Sequence, residues 1–208
     1  NGLINTRILG MCRELDIDAV GVSGVDAGLI TAHKRAAVKM SDGETVDFGF
    51  VGDIDAVDTT VLKKLLDNGL MPVVSPLSAD ANGTLLNINA DTVASAIGAA
   101  LNAEKLILCT GAPGILENVA DPGSVVSYTD LPGLKRLRDS GAISDGMLPK
   151  AKAIEDAIRG GVRRVHVIAY TSPESILAEV FTNEGTGTLI VADVNALSTA
   201  EQQQSSGT

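Results

Sequence analysis

Apolar residues at Ile4, Ile8, Leu9, Cys12 and Leu15 recur at helical spacing and predict a helix that opens almost at the first residue. Ala19-Val20-Gly21-Val22 is a short apolar run and reads as a strand. Val61, Leu62, Leu65 and Leu66 return to helical spacing, with Asp58 as a cap and Asn68-Gly69 as a stop. Met71-Pro72-Val73-Val74 reads as a strand whose proline sits near its start, where a missing donor is tolerated. Further on, helices are predicted over about 91–103, 129–138, 149–158 and 173–181, and strands over 105–109, 164–169 and 187–192. Alternation of this kind, with strands apolar on both faces, predicts an α/β fold with a largely parallel sheet between helical layers.

One stretch breaks the rhythm. Val38-Lys39-Met40 and Val46-Asp47-Phe48 flank Ser41-Asp42-Gly43-Glu44, which reads as an inserted hairpin or lid on an Asp-Gly turn. The end, Gln202-Gln203-Gln204-Ser205-Ser206-Gly207-Thr208, is polar, and 194–208 is expected to be a flexible tail without a role in chemistry. Residues 1–193 are expected to form the functional domain.

Composition narrows the class. The 208 residues include 22 glycines but only two Tyr, three Phe and no Trp, so the core must come from Ala, Val, Ile and Leu, which suits α/β layers. A net charge of −10 repels phosphate backbones and anionic membranes, so neither nucleic acid nor a lipid surface is expected as a partner. Two cysteines form no disulfide framework, and Cys109, ending Leu106-Ile107-Leu108, is expected to be a buried, inert thiol. Without a spanning segment or a signal peptide, the expected location is the cytoplasm.

Three places carry candidate chemistry. Asn87-Ile88-Asn89-Ala90-Asp91 lies between a loop and an Ala-rich helix, where free N–H groups attract anions. Two amides two residues apart suit a carboxylate or acyl amide, and a carboxylate on the first turn can hold an ammonium; helix capping is the competing reading. Ile143-Ser144-Asp145-Gly146-Met147-Leu148-Pro149-Lys150 puts a lysine on the first turn of a helix, against the dipole, which suits charge neutralisation at a moving phosphoryl group as well as it suits a solvated lysine. Thr110-Gly111-Ala112-Pro113-Gly114 follows a strand, where glycines let backbone amides surround a nucleotide or simply make a tight loop. His33 and His166 stand alone, and His166 is expected to be packed in a strand with a satisfied hydrogen bond.

Gly2-Leu3-Ile4-Asn5, Asp47-Phe48-Gly49-Phe50-Val51-Gly52-Asp53, Asn87 to Asp91, Ile143 to Lys150 and Phe181 to Thr188 together resemble the acetylglutamate kinases of the amino-acid kinase family, in order and spacing up to about Ile190. The resemblance implies a three-layer α/β sandwich, N-terminally truncated, with acetylglutamate over about 1–100 and ATP with Mg2+ over about 101–193. It implies substrate-binding Asn87 and Asn89, catalytic Asp91 and Lys150, and nucleotide-binding Thr110, Gly111, Gly114, Ile143, Ser144 and Gly146, with no protein metal ligand assigned. Asp91 would organise two lysines, of which Lys150 is one; the other belongs to a Lys-x-Gly-Gly motif that this sequence does not contain, so the chain by itself is expected to fall short of full activity. This sequence also has Gly111 where the family carries Asp, which bears on nucleotide affinity.

By the same resemblance, Phe181 to Thr188 is a candidate arginine feedback site, and a homo-oligomer, a dimer or higher, is expected. The reaction implied is ATP-dependent phosphorylation of the γ-carboxylate of N-acetylglutamate in arginine biosynthesis. A kinase for another acylated amino acid, and a non-catalytic sensor of amino acid or nucleotide, are the alternatives.

Overall fold

The computed structural model describes residues 2–40, 43–144, 146–171, 174–181 and 185–196. The chain divides into two compact units, Asn1–Val93 and Ala94–Thr208. Unit 1 holds α1 (Leu3–Glu14), β1 (Ala19–Ser23), β2 (Ile30–Lys34), β3 (Val38–Lys39), β4 (Thr45–Val46), β5 (Gly52–Val57), α2 (Thr60–Asp67), β6 (Met71–Ser75), β7 (Leu77–Ala79) and β8 (Leu85–Asn87). Helix α3 (Ala90–Leu101) spans the division. Unit 2 continues with β9 (Lys105–Thr110), β10 (Tyr128–Asp130), α4 (Leu131–Asp139), α5 (Leu148–Arg159), β11 (Arg164–Ala169), α6 (Ser175–Phe181) and β12 (Thr188–Val191).

In unit 1, β1 and β6 pair in parallel, and β5-β2-β7-β8 form a second sheet in which only β2 and β7 run parallel. Helix α1 approaches β1 and β6 through one polar residue. Buried Asn5 donates its side-chain amide to the Val73 carbonyl at 3.0 Å and to Ser75 Oγ at 3.1 Å, which satisfies a group that burial would otherwise penalise. A Cβ on Gly21 would stand 2.0 Å from Asn5 Oδ1, so only glycine in β1 lets the helix sit this close. β3 and β4 make the expected hairpin, with Ser41 and Asp42 outside the described residues.

In unit 2 the order is β10-β12-β11-β9; β9 with β11 and β10 with β12 are parallel, while β11 and β12 run antiparallel. The core gathers Leu134, Ile154, Val165, Val167 and Ile190, all at 0% exposure. Each such side chain contributes roughly 1.5–3 kcal/mol by leaving water. Helix α4 starts at Leu131 because Asp130 accepts the Gly133 N–H at 2.8 Å as its cap, leaving Tyr128–Asp130 to pair as a strand.

Several expectations need correction. Cys109 is exposed: β9 is an edge strand of its sheet, and alternation buries Leu108 while turning its neighbour outward. The cap of α2 is Thr59, while Asp58 accepts the Thr60 N–H at 2.9 Å from one position earlier. His33 is not isolated, since Nδ1 lies 2.7 Å from Asp55 Oδ1. Helix α6 begins at Ser175; Pro173, where it was expected to begin, lies outside the described residues. Val194–Ala196 forms a 3-10 turn in which Val194 packs on Leu189 and Val191, and the rest of the expected tail, 197–208, lies outside the described residues. Among the described residues no helix is long and apolar enough to cross a membrane.

Candidate functional site

The first candidate stretch is built by strand alternation. Leu86 and Ile88 are buried at 0% and 2% exposure, so Asn87 and Asn89 between and after them turn outward on one face. The Asn87 N–H donates to the Phe50 carbonyl at 2.8 Å, and Asn87 bridges Val51, so the fold joins Asn87 to the Asp47–Asp53 stretch. Gly52 belongs to this junction, since a Cβ there would stand 2.9 Å from Leu86 Cβ. Asn89 Oδ1 accepts the Thr92 N–H at 3.1 Å, which caps the first turn of α3. Asp91 is half-buried in that turn.

Beside it, Arg35 Nε lies 3.0 and 3.1 Å from the two carboxylate oxygens of Asp53, and its guanidinium carbon lies 5.8 Å from the Phe48 ring centroid. The Arg35 hydrogen bonds hold the Asp53 carboxyl below its usual value, against partial burial. Arg35, just after β2, thus touches both Phe48 and Asp53 of the Asp47–Asp53 stretch.

The second candidate stretch lies in unit 2. Thr110 ends β9 in register with Ala169, the end of β11, so two loops leave the carboxyl ends of adjacent parallel strands. Gly111 is exposed, whereas Gly114 is buried. A Cβ on Gly114 would stand 2.8 Å from Thr188 Oγ1 and 2.9 Å from Val125 Cγ1, and the Ile115 N–H donates to that same hydroxyl at 2.8 Å. Packing against β12 is therefore one reason for glycine at 114. Ile143 is buried at 3% exposure, while Ser144 and Gly146 are exposed, and the Ser144 carbonyl accepts the Met147 N–H at 2.8 Å. Asp145 lies outside the described residues.

Helix α5 has Pro149 in its first turn and no acidic residue there; Lys150 emerges half-buried from that turn. Ile115, Ile143 and Ala151 belong to one hydrophobic core, so a single packed base carries the end of the Thr110–Gly114 loop, the Ile143–Ser144 segment and the start of α5.

A further polar centre escaped the sequence reading. His166 Nδ1 lies 2.6 Å from Glu179 Oε1, with both side chains buried, and Glu179 Oε2 accepts the Thr186 and Gly187 N–H groups at 2.7 and 3.2 Å. Burial pushes the Glu179 carboxyl up, but the His166 hydrogen bond and the two backbone donors together outweigh it and hold the group below its ordinary value. The expectation for His166 is met at one nitrogen only, since among the described residues Nε2 has no hydrogen-bond partner. Thr182, Asn183 and Glu184 of the candidate arginine stretch lie outside the described residues. A cavity of about 620 Å³ opens in unit 1 near Arg13, Asp18 and Leu70, at the amino ends of β1 and β6, and contains none of the candidate residues.

Loops at the carboxyl ends of parallel strands in unit 2 and a helix-opening amide pair in unit 1 belong to a protein of the α/β class. The chain belongs to the amino acid kinase family, whose model matches residues 2–169. It is 46% identical over 197 residues to the acetylglutamate kinase of Myxococcus xanthus, covering 92% of this chain and 64% of that protein. It is 44% identical to the acetylglutamate kinase of Archaeoglobus fulgidus, covering 91% and 66%. The chain thus spans a little under two thirds of the length of these relatives. Among solved structures, smu.665 from Streptococcus mutans superposes with a TM-score of 0.71 at 27% identity, covering 92% of this chain and 68% of that one. An N-acetylglutamate synthase from Neisseria gonorrhoeae, in complex with coenzyme A and N-acetyl-glutamate, shares the fold with a TM-score of 0.73 at 23% identity, covering 92% and 43%.

Proposed function

We propose that this chain carries substrate and nucleotide sites of an enzyme that transfers the γ-phosphoryl group of ATP to the γ-carboxylate of N-acetylglutamate, in the arginine-biosynthetic route of the cytoplasm. The observation that carries the reading is 46% identity to an acetylglutamate kinase across 92% of the chain. A carboxylate oxygen forms a bond to the γ-phosphorus as the bond to the bridging oxygen of ADP breaks, and ADP leaves with that electron pair. The products are an acyl phosphate and ADP.

Such a reaction asks the protein to hold two anions in line and screen their repulsion. Asn87 and Asn89, on one outward face, are assigned to the acylated amino acid. Thr110, Gly111, Gly114, Ile143, Ser144 and Gly146 are assigned to the nucleotide, whose contacts come largely from backbone. Lys150 is assigned to the charge on the moving phosphoryl group, and Asp91 to orienting ammonium groups. Magnesium would travel on the phosphates of ATP; among the described residues no group of three or more His, Cys, Asp or Glu could hold a metal ion, and no protein ligand is named for it.

A coupled ADP-release assay on the full-length gene product, with a panel of acylated amino acids, tests the reading. Turnover with N-acetylglutamate is expected; turnover with another acyl group only would move the substrate, and no turnover with any of them from folded protein would end the kinase reading. Gly111 favours a second reading as a non-catalytic sensor. Under it ligands bind and no ADP appears. Arginine inhibition through the Phe181–Thr188 stretch is tested by calorimetric titration, and a homo-oligomer by light scattering.

A further inference from the structure

We infer that Tyr170 faces the nucleotide and fills, beside the Thr110–Gly114 loop, the space that a side chain at position 111 would take. This role rests on the nucleotide-binding reading of that loop. Tyr170 directly follows Ala169, whose register partner is Thr110, and its N–H donates to the Thr110 carbonyl at 2.9 Å. The tyrosine and the glycine loop therefore leave the same sheet edge from neighbouring parallel strands, where open α/β sheets bind ligands.

From an ideal Cβ on Gly111, the Tyr170 hydroxyl would lie at 3.3 Å and its Cε1 and Cζ at 3.7 Å. The hydroxyl end of the ring thus stands beside the place a Gly111 side chain would take, and a larger side chain there would have to displace it. Despite this contact the residue is 69% exposed. Among the described residues its hydroxyl has no hydrogen-bond partner. An isolated surface tyrosine would show the same exposure, but nothing would require it to stand beside a glycine at the mouth of a loop.

The chemistry suits an adenine nucleotide. The ring offers a π face to the base, and the hydroxyl offers a donor to a ribose or phosphate oxygen. Position 111 supplies no side chain of its own, so Tyr170 provides that wall of the site from the adjacent strand.

The protein contains no tryptophan and two tyrosines, so in Tyr128→Phe all tyrosine emission comes from Tyr170. Titration of that variant with magnesium ADP is expected to change the emission saturably, with the Kd that calorimetry gives for the unaltered chain. Tyr170→Gly is expected to weaken ADP about tenfold, the scale of losing one base–aromatic stack. Gly111→Ala is expected to weaken ADP when Tyr170 is present and to have little effect in the Tyr170→Gly background. If ADP binds the unaltered chain and Tyr170→Gly equally, with flat emission from Tyr170, the loop reading stands and the role of Tyr170 falls. If the unaltered chain gives no binding by calorimetry, the nucleotide reading of the loop fails and this role fails with it.

Discussion

The two candidate stretches are held in opposite ways. In unit 1, Asn87 and Asn89 are exposed side chains fixed by backbone pairing and a helix cap, with Leu86 and Ile88 anchoring them from the other face. In unit 2, the Thr110–Gly114 loop and the described part of the Ile143–Lys150 segment rest on a packed core through Ile115, Ile143 and Ala151, and both carry an exposed glycine, Gly111 and Gly146. Side chains that would touch an acylated amino acid can be changed with little effect on folding, whereas the nucleotide side is altered chiefly through the packing behind it. Lys150 is the exception in unit 2, a side chain assigned to chemistry on a helix whose opposite face is core.

That exception predicts the largest effect. Lys150→Ala is expected to lower turnover of the full-length gene product with ATP and N-acetylglutamate by about 100- to 1,000-fold, the scale of losing one preorganised charge-stabilising group. Unfolding free energy is expected to change far less than turnover, because a lysine on a first turn gains nothing from the helix dipole. Turnover within a few-fold of the unaltered protein would show that Lys150 does not serve the moving phosphoryl group.

The buried pair of unit 2 predicts the largest stability effect. Glu179→Ala leaves His166 and the Thr186 and Gly187 N–H groups without their acceptor, at a cost of about 3–5 kcal/mol in urea denaturation. The pH dependence has a definite sign. The folded carboxyl sits below its ordinary value of 4.5, so its contribution is complete above about that pH and is lost as pH falls through the depressed folded value. Glu179→Ala is expected to lose this part of the acid dependence, and an unchanged acid limb would show that the pair does not hold the 186–187 segment. Gly114→Ala is expected to cost about 1–3 kcal/mol by overpacking against Thr188 and Val125 and to weaken ADP in parallel.

Legibility in the sequence follows the same division. Strands β6, β9 and β11 announce themselves as apolar runs, and helices α1, α2 and α5 by spacing and stop signals. Strands β2 and β5 do not: Ile30-Thr31-Ala32-His33-Lys34 and Gly52-Asp53-Ile54-Asp55-Ala56-Val57 are largely polar, and each is a strand because it pairs with the other. β10 is hidden because Asp130 reads first as a helix residue, when it caps the following helix instead. The candidate stretches themselves were readable as ordered motifs. Their supports were not, since Ile115 meets Thr188 across 73 positions and His166 meets Glu179 across 13. Such contacts belong to the tertiary fold and leave no local pattern.

The smallest expected effect separates the two roles of Asn89. Its Oδ1 caps α3 by accepting the Thr92 N–H, and its amide N–H groups are the part assigned to a substrate anion. Asn89→Ala removes both, with a stability loss of about 1 kcal/mol. Asn89→Asp keeps an acceptor for Thr92 and places a negative charge at a helix start, so melting is expected to match the unaltered chain. It also removes the donor and repels an incoming carboxylate, so N-acetylglutamate affinity is expected to fall at least about tenfold, the scale on which a lost hydrogen bond to a charged group is felt. If Asn89→Asp preserves both melting and affinity, the residue is a cap alone, and recognition of the acylated amino acid in this stretch passes to Asn87.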